Sequence, residues 1–351
     1  MGGYIAKRLR YSLLVLWGVV TVVFFLFNVL PGDPARLTMG QRTDAASVAN
    51  ARKAMNLDKP LLTRYFIYLN DLSPLSLNER TDQAQHQYGY VQLIPMGNNA
   101  IVAKWPYLGR SYRTQKAVNE VLFEALPGTL ILAFTAMLFA TITGILLGVV
   151  AALKKGTWLD AGSVAASVAG VSMPSFFAGI LISFTFGYLL HAFTGLDMTG
   201  SLWRYDPFTG RHLALKNLLL PALALGIRPL AIITQLTRSA LLDALSQDYI
   251  RTAYAKGLST RQVVFRHALP NALNPVITAI SGWLAELLAG SFFVEYIFGW
   301  KGVGKITVDA LDKFDFPLVM GSVLLTALIF IVVNLFTDLL YAKIDPRVTL
   351  K

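Results

Sequence analysis

Cysteine is absent from the 351-residue sequence, and its absence removes several kinds of functional site. Disulfide bonds, thiolate metal ligands and cysteine nucleophiles are all excluded. Charged residues are also scarce: they make up 15% of the chain, whereas ordinary soluble domains contain roughly 25%. Hydrophobic residues account for 55%. This balance indicates that much of the chain faces lipid rather than water.

Recognisable catalytic patterns are missing as well. No serine stands in a Gly-x-Ser-x-Gly turn, and no pair of histidines has the spacing of a metalloprotease. The four histidines are far apart in the sequence, at His86, His191, His212 and His267. We therefore predict no catalytic residues and no metal site.

Six apolar stretches are long enough to cross a bilayer as helices. Crossing takes about 20 largely apolar residues, because the hydrocarbon core is roughly 30 Å thick and a helix rises about 1.5 Å per residue. The stretches cover residues 11–30, 126–153, 161–190, 218–241, 274–294 and 318–341. The sequence therefore predicts an all-α integral membrane protein with six transmembrane helices. Four prolines are expected to kink or begin these helices: Pro174, Pro221, Pro229 and Pro275.

The net charge of +11 is explained by where the basic residues lie. In short loops, lysine and arginine are enriched on the cytoplasmic side of a membrane. Here they concentrate between helices 2 and 3, between helices 4 and 5, and after helix 6, at Lys154, Lys155, Arg251, Lys256, Arg261, Arg266, Lys343, Arg347 and Lys351. The sequence therefore predicts cytoplasmic N- and C-termini, contact with lipid, and no nucleic-acid partner.

Three parts follow from this topology. Residues 1–30 contain the cytoplasmic N-terminus and helix 1, and residues 120–351 contain helices 2 to 6. Between them, residues 31–119 form a long extracytoplasmic segment. Its stretch 78–106 combines Asn, Gln, Gly and Pro with aromatic residues, which predicts a small structured cap rather than a disordered tail.

One glycine-rich stretch, residues 299–306, nearly matches a phosphate-binding loop. Its final position is Ile306, which has no hydroxyl group for magnesium, and no strand pattern precedes the stretch. The topology also places it outside the cell. We therefore predict an outer turn before a short amphipathic helix, and no ATP bound by this chain.

The cytoplasmic loop of residues 242–272 carries the most specific motif. It reads Asp248-Tyr249-Ile250-Arg251-Thr252-Ala253-Tyr254-Ala255-Lys256-Gly257-Leu258, and Leu269-Pro270 follow. The pattern predicts a short helix that ends at a glycine, a second amphipathic stretch, and a helix restarted by the proline. Taken alone, it indicates only a solvent-exposed helical loop.

The spacing of Ala253, Gly257, Leu269 and Pro270 resembles the "EAA loop" of ATP-binding cassette (ABC) importer permeases. In that family the loop forms the helix that docks on the ATPase. Arg251 and Thr252 depart from the general pattern of this loop. Both departures resemble the peptide and nickel branch of the family.

Other segments are similar to the first permease subunit of that branch. They are residues 30–34 (Leu-Pro-Gly-Asp-Pro), 108–112 (Leu-Gly-Arg-Ser-Tyr), 172–176 (Ser-Met-Pro-Ser-Phe) and 345–347 (Asp-Pro-Arg). Residues 74–105 resemble an insertion relative to shorter members. The resemblance implies a type I ABC importer permease fold in a bacterial inner membrane, with dipeptides or oligopeptides as substrates and nickel chelates or glutathione as alternatives.

The resemblance also implies partners and site residues. The partners would be a homologous second permease, two cytoplasmic subunits that bind ATP and magnesium, and an extracytoplasmic peptide-binding protein. The ATPase-coupling residues would be Asp248, Tyr249, Arg251, Ala253, Ala255, Lys256, Gly257, Leu258, Leu269 and Pro270. A gate or binding-protein contact on the outer side would involve Gly109, Arg110, Ser111 and Tyr112.

Two charged residues lie in the middle of predicted helices, Arg228 in helix 4 and Glu286 in helix 5. A charge at the bilayer centre costs about 2.5–3.5 kcal/mol on insertion scales, so each needs a reason to be there. One interpretation is an ion pair that locks two helices, and the other is a translocation path for charged substrate ends.

A secondary transporter or channel remains the alternative function. Such a protein should show ion-coupling carboxylates in several spans or inverted repeats, and Glu286 alone is a poor match. A membrane-embedded hydrolase is less favoured, because the catalytic set is missing.

Overall fold

The computed structural model describes residues 2–29, 48–49, 52–53, 56–208 and 210–344, which are mostly helical. Four unbroken helices are long and apolar enough to cross a membrane. They are Gly2–Val29 (span 1), Val118–Leu153 (span 2), Lys216–Leu245 (span 4) and Phe316–Ile344 (span 6). The prediction of a helical membrane protein is confirmed.

Two further spans are bent helix pairs. Span 3 consists of Trp158–Ser172 and Ser175–Leu189, which meet at an angle of 110°. Span 5 joins Thr260–Ala272 to Asn274–Ala289 at an angle of 52°. The described residues therefore contain up to six spans if each bent pair is counted as one.

Prolines account for part of this bending. Met173 has extended backbone angles (φ −80°, ψ 124°) and Pro174 then begins the second half of span 3, because a residue before proline is driven out of the helical region. Pro275 lies in the first turn of the second half of span 5. Pro221 and Pro229 lie inside span 4, which stays unbroken.

The chain divides into two units, and the core unit comprises residues 2–9, 126–208, 210–305 and 328–344. Its apolar interior is formed largely by spans 2 and 4 and the turn after span 5, with Ala136, Ile233 and Trp300 all fully buried. A two-stranded hairpin, β4 (Trp203–Asp206) with β5 (Gly210–Leu213), precedes span 4.

Glycines bring spans 2 and 4 close together. A Cβ atom added at Gly144 would lie 2.8 Å from Cγ2 of Ile233, and one at Gly148 would lie 2.6 Å from Cβ of Thr237. Both distances are too short for a side chain, so close helix packing here requires glycine.

The cap unit comprises residues 10–29, 48–49, 52–53, 56–125 and 306–327. It contains a three-stranded antiparallel sheet in the order β1-β3-β2, formed by β1 (Leu75–Glu79), β2 (Val91–Met96) and β3 (Asn99–Ala103). Helices Leu61–Leu72 and Asp82–Tyr88 flank β1. The sheet occupies the stretch that resembles an insertion, and its strands were not predicted from the sequence.

Two of the family-like motifs fall outside the described residues. These are residues 30–34 and residues 345–347.

Candidate functional site

The loop with the most specific motif, named here the coupling segment (residues 242–272), folds as the sequence predicts. Its first helix is Asp248–Ala255, and Gly257 follows in a left-handed conformation with φ +79°. Ser259 then caps the next helix through a capping box with Gln262. The acidic Asp248 lies in the first turn, where the helix dipole favours a negative charge. The short helix and its glycine stop are confirmed.

One face of the helix Asp248–Ala255 is buried in the core unit. Ile250 is 1% exposed and Ala253 is 6% exposed, and both pack in a cluster with Val149, Leu241 and Val264. Ala253, one of the expected ATPase-coupling residues, is therefore not available at the surface of this chain for contact with a partner. Its small side chain instead lets the helix lie close to spans 2, 4 and 5.

The opposite face, named the coupling surface, is exposed and carries charged and aromatic groups. Its members are Asp248, Tyr249, Arg251, Tyr254, Ala255, Lys256 and Gly257, with Pro270 exposed further along. Arg251 and Asp248 form an ion pair of 3.3 Å. Leu258 and Leu269 are half-buried at the edge of the apolar cluster.

The two mid-span charges are brought together. Nη1 of Arg228 lies 4.0 Å from Oε1 of Glu286, and the Arg228 guanidinium lies 5.4 Å from the ring centre of Trp283. The pair is open to its surroundings, because the side chains are 40% and 57% exposed. A pair this long and this exposed is loosely held.

A second ion pair in the membrane spans was not predicted. Asp160 accepts hydrogen bonds from Nε and Nη2 of Arg238 at 2.5 and 2.9 Å, and from the backbone N–H of Gly156 at 3.0 Å. This pair joins the start of span 3 to span 4. The sequence signal was an aspartate directly before one apolar stretch and a second arginine, besides Arg228, inside another.

A buried carboxylate explains the glycine-rich stretch 299–306. Glu295 is fully buried, and its carboxylate accepts from Oγ of Ser291 at 2.6 Å and from the backbone N–H of Lys305 at 3.1 Å. A Cβ atom at Gly302 would clash with this carboxylate. The turn therefore wraps around a carboxylate of its own chain, at the start of the helix Val303–Asp312. The predicted turn followed by a short helix is confirmed, and its place outside the cell stays a prediction.

Burial raises the pKa of the Glu295 carboxyl above its ordinary value, and hydrogen bonds from Ser291 and Thr129 act in the opposite direction. The turn is further fixed by Trp300, whose Nε1 donates to the carbonyl of Gly128 at 2.9 Å.

In the cap unit, the segment of residues 108–112 is anchored to Asp315. Oγ of Ser111 donates to Oδ2 of Asp315 at 2.5 Å, and the backbone N–H of Tyr112 donates to Oδ1 at 3.0 Å. Ser111 is completely buried, whereas Arg110 is exposed, and Gly109 has φ +87°. The anchoring explains why serine is needed here.

No group of three or more histidine, aspartate or glutamate side chains arranged to hold a metal ion occurs among the described residues.

Comparison with known proteins covers nearly the whole chain. Residues 144–350 match a family described as "Binding-protein-dependent transport system inner membrane component". Residues 1–133 match the N-terminal part of a binding-protein-dependent transport system membrane component.

Three relatives illustrate the similarity. The "Di/tripeptide transport system permease protein DppB" of Pseudomonas aeruginosa (strain UCBPP-PA14) is 37% identical over 363 residues, covering 99% of both chains. The "Dipeptide transport system permease protein DppB" of Haemophilus influenzae is 37% identical over 359 residues, covering 98% of both. The "Glutathione transport system permease protein GsiC" of Salmonella typhi is 33% identical over 351 residues, covering 100% of both.

Proposed function

The chain belongs to the family of inner-membrane components of binding-protein-dependent transport systems, and we propose that it moves dipeptides or oligopeptides into the cell. It is a permease subunit of an ABC importer, so it is a transport component rather than an enzyme, and ATP is hydrolysed by separate subunits. The observation that carries the substrate class is the full-length similarity to permeases named for dipeptides, di/tripeptides and glutathione, which all contain peptide bonds. Nickel chelates are less favoured on the same ground.

The coupling surface supports a specific arrangement of partners. The exposed Arg251 and Lys256 offer charges for a separate ATP-binding subunit, and the exposed Tyr249 and Tyr254 offer apolar area beside them. This requires the coupling segment, and with it the N- and C-termini, to face the cytoplasm. ATP and magnesium would be bound by two such subunits, with a homologous second permease and an external binding protein completing the importer.

The buried face of the same helix supports a mechanism. Ile250 and Ala253 share one apolar cluster with Val149 of span 2 and Leu241 of span 4. Movement imposed on the coupling surface would therefore be transmitted to these spans, because packed interiors shift as units rather than deform. Alternating access of the peptide path would follow from ATP binding and hydrolysis in the partner subunits.

The loose pair of Arg228 and Glu286 supports a place on that path. A peptide has a carboxylate that can bind Arg228 and an ammonium group that can bind Glu286. The separation of 4.0 Å and the high exposure mean that a substrate can compete with the pair at little cost. By contrast, the short pair of Asp160 and Arg238 has the geometry of a structural lock.

Exchanging the two charges tests this assignment. In an Arg228→Glu, Glu286→Arg double variant the ion pair can re-form, so a purely structural role predicts restored assembly and restored uptake. A role on the peptide path predicts restored assembly but altered substrate preference, measured as the uptake ratio between Ala-Phe and its amide. Restored uptake with an unchanged ratio would contradict the path assignment.

Reversing the charges of the coupling surface tests the proposed function. In the assembled importer, Arg251→Glu combined with Lys256→Glu should reduce co-purification of the ATP-binding subunits and reduce ATP-dependent dipeptide uptake at least tenfold. The matched control is Arg80→Glu, an exposed arginine on the cap unit. Normal co-purification and uptake in the double variant would contradict the proposed coupling role.

A further inference from the structure

The cap unit contains a cavity of about 670 Å³. Its walls come from the last two turns of span 1, the helices Leu61–Leu72 and Asp82–Tyr88, the segment after β3 and the start of span 6. The polar and aromatic residues that matter are Arg64, Tyr68, Asp71, Tyr88, Tyr107 and Arg110. A cavity of this size lies within the range of roughly 300–1,000 Å³ that is usual for small-molecule sites.

Asp71 is the one carboxylate among these six residues, and its negative charge is already offset by a lysine. Nζ of Lys104 lies 3.7 Å from Oδ1 of Asp71, and the Lys104 side chain is fully buried. The same ammonium group stands 4.1 Å from the ring centre of Tyr88. Asp71 therefore adds little negative potential to the cavity.

Arg64 is charged and partly buried, and most of its N–H groups have no partner among the described residues. One of its five N–H groups donates to Oδ1 of Asn28, and the part of the chain that the structure describes shows no ion pair between Arg64 and a carboxylate. Burial lowers the pKa of its guanidinium. A second guanidinium, that of Arg110, lines the same cavity and donates to the carbonyl of Gln115 at 3.0 Å. The excess positive charge favours an anionic group of a ligand.

The rest of the wall suits a peptide. The rings of Tyr88 and Tyr107 pack edge to face, with centres 5.0 Å apart, and form an aromatic surface. The Tyr68 hydroxyl is buried and has no hydrogen-bond partner among the described residues. Leaving a buried hydroxyl unpaired is unfavourable, so a ligand group that bonds it would gain.

We propose that this cavity is a second peptide-binding site of the chain, in which Arg64 binds the terminal carboxylate of a short peptide between tyrosine side chains. The proposal rests on the proposed function for its choice of ligand. The Arg64 guanidinium could equally donate hydrogen bonds to the phosphate of a lipid headgroup. The test distinguishes a peptide ligand from a lipid ligand.

The test measures binding of Ala-Phe and of Ala-Phe amide to the purified full-length chain by equilibrium dialysis, without binding protein or ATP-binding subunits. Ala-Phe should bind saturably, and its amide about ten- to a hundredfold more weakly, because the amide cannot form the charge-assisted bonds. Arg64→Gln should weaken Ala-Phe binding by a similar factor.

The control variant is Arg80→Gln, an exposed arginine of the cap unit that lies outside the cavity and should bind Ala-Phe normally. Tyr68→Phe removes only the unpartnered hydroxyl. It should leave the thermal unfolding temperature unchanged while weakening Ala-Phe binding about threefold to tenfold. This second variant covers the case in which Arg64→Gln fails to fold.

Equal binding of the acid and the amide would overturn the proposal. So would displacement of Ala-Phe by phosphatidylglycerol vesicles but not by free dipeptides, which would identify a lipid site. If the wild-type chain binds no dipeptide while the assembled importer still takes it up with ATP, the second site is refuted and the proposed function stands.

Discussion

At the residue scale, two glycines in membrane helices have opposite surroundings. A Cβ atom at Gly128 of span 2 would clash with the carbonyl group of Lys301, whereas a Cβ atom at Gly162 of span 3 would meet nothing within 4 Å. The backbone of Gly128 also accepts the hydrogen bond from Trp300. The same residue type is therefore required at one position and free at the other.

Gly128→Ala should lower the free energy of unfolding by about 1–3 kcal/mol, because an over-packed backbone contact must shift. Gly162→Ala should raise it by about 0.5–1 kcal/mol, because alanine favours a helix interior over glycine. Thermal unfolding of the two purified variants measures both. A stable Gly128→Ala variant would show that the turn after span 5 does not pack as described.

At the same scale, the buried Glu295 carboxyl leads to a prediction about how stability depends on pH. Its pKa is raised in the folded protein above the unfolded value of about 4.3. The folded state therefore holds the proton to higher pH, and unfolding releases it. The contribution of Glu295 to the free energy of unfolding should fall as pH rises from about 4.3 through the raised pKa, and stay level above it.

The measurement is the unfolding temperature across this pH range in the wild-type chain and in Glu295→Gln, which cannot titrate. The difference between the two should change with pH in the stated direction. A difference that is constant with pH would contradict the raised pKa.

At the element scale, local rules predict some features and tertiary contacts decide others. The helix that ends at Gly257 and the break at Pro174 follow from residue types at single positions. The burial of Ala253 does not, because only the packed cluster shows which face of that helix lies inward. The strands of residues 75–103 were also missed, because short strands are difficult to recognise beside long apolar helices. The contact of Asp160 with Arg238 joins residues 78 positions apart and needed the fold.

The prediction at the element scale concerns Gly257. Its φ of +79° is unfavourable for alanine by roughly 1–2 kcal/mol, and nothing lies within 4 Å of an added Cβ atom. In Gly257→Ala the helix Asp248–Ala255 should tend to extend and misplace the coupling surface. ATP-dependent uptake per folded importer should fall several-fold.

The matched control is Gly156→Ala. Gly156 has φ +78° and equally open surroundings in a different loop. Gly156→Ala introduces the same backbone strain outside the coupling segment. Uptake per folded importer in this variant should therefore stay near that of the wild type. Equal loss of uptake in both variants would mean that strain alone, and not the coupling segment, is responsible.

At the scale of the whole molecule, composition and motif spacing predict the class well. The 55% hydrophobic residues and the up to six spans among the described residues indicate a membrane protein, and the family match identifies it as a transport component. Composition and motif spacing do not specify the substrate. We propose that its recognition depends on a few charges, such as Arg228 and Glu286, whose surroundings are set by helix packing and by partner subunits.

The central claim is that this chain moves peptides only when a separate ATPase acts on its coupling surface. The most direct test is accumulation of labelled Ala-Phe in proteoliposomes that contain the chain, its partner permease and the binding protein, with and without the ATP-binding subunits. We expect accumulation above the external concentration only with those subunits and ATP. Uphill accumulation by liposomes lacking them would contradict the account and favour a secondary transporter.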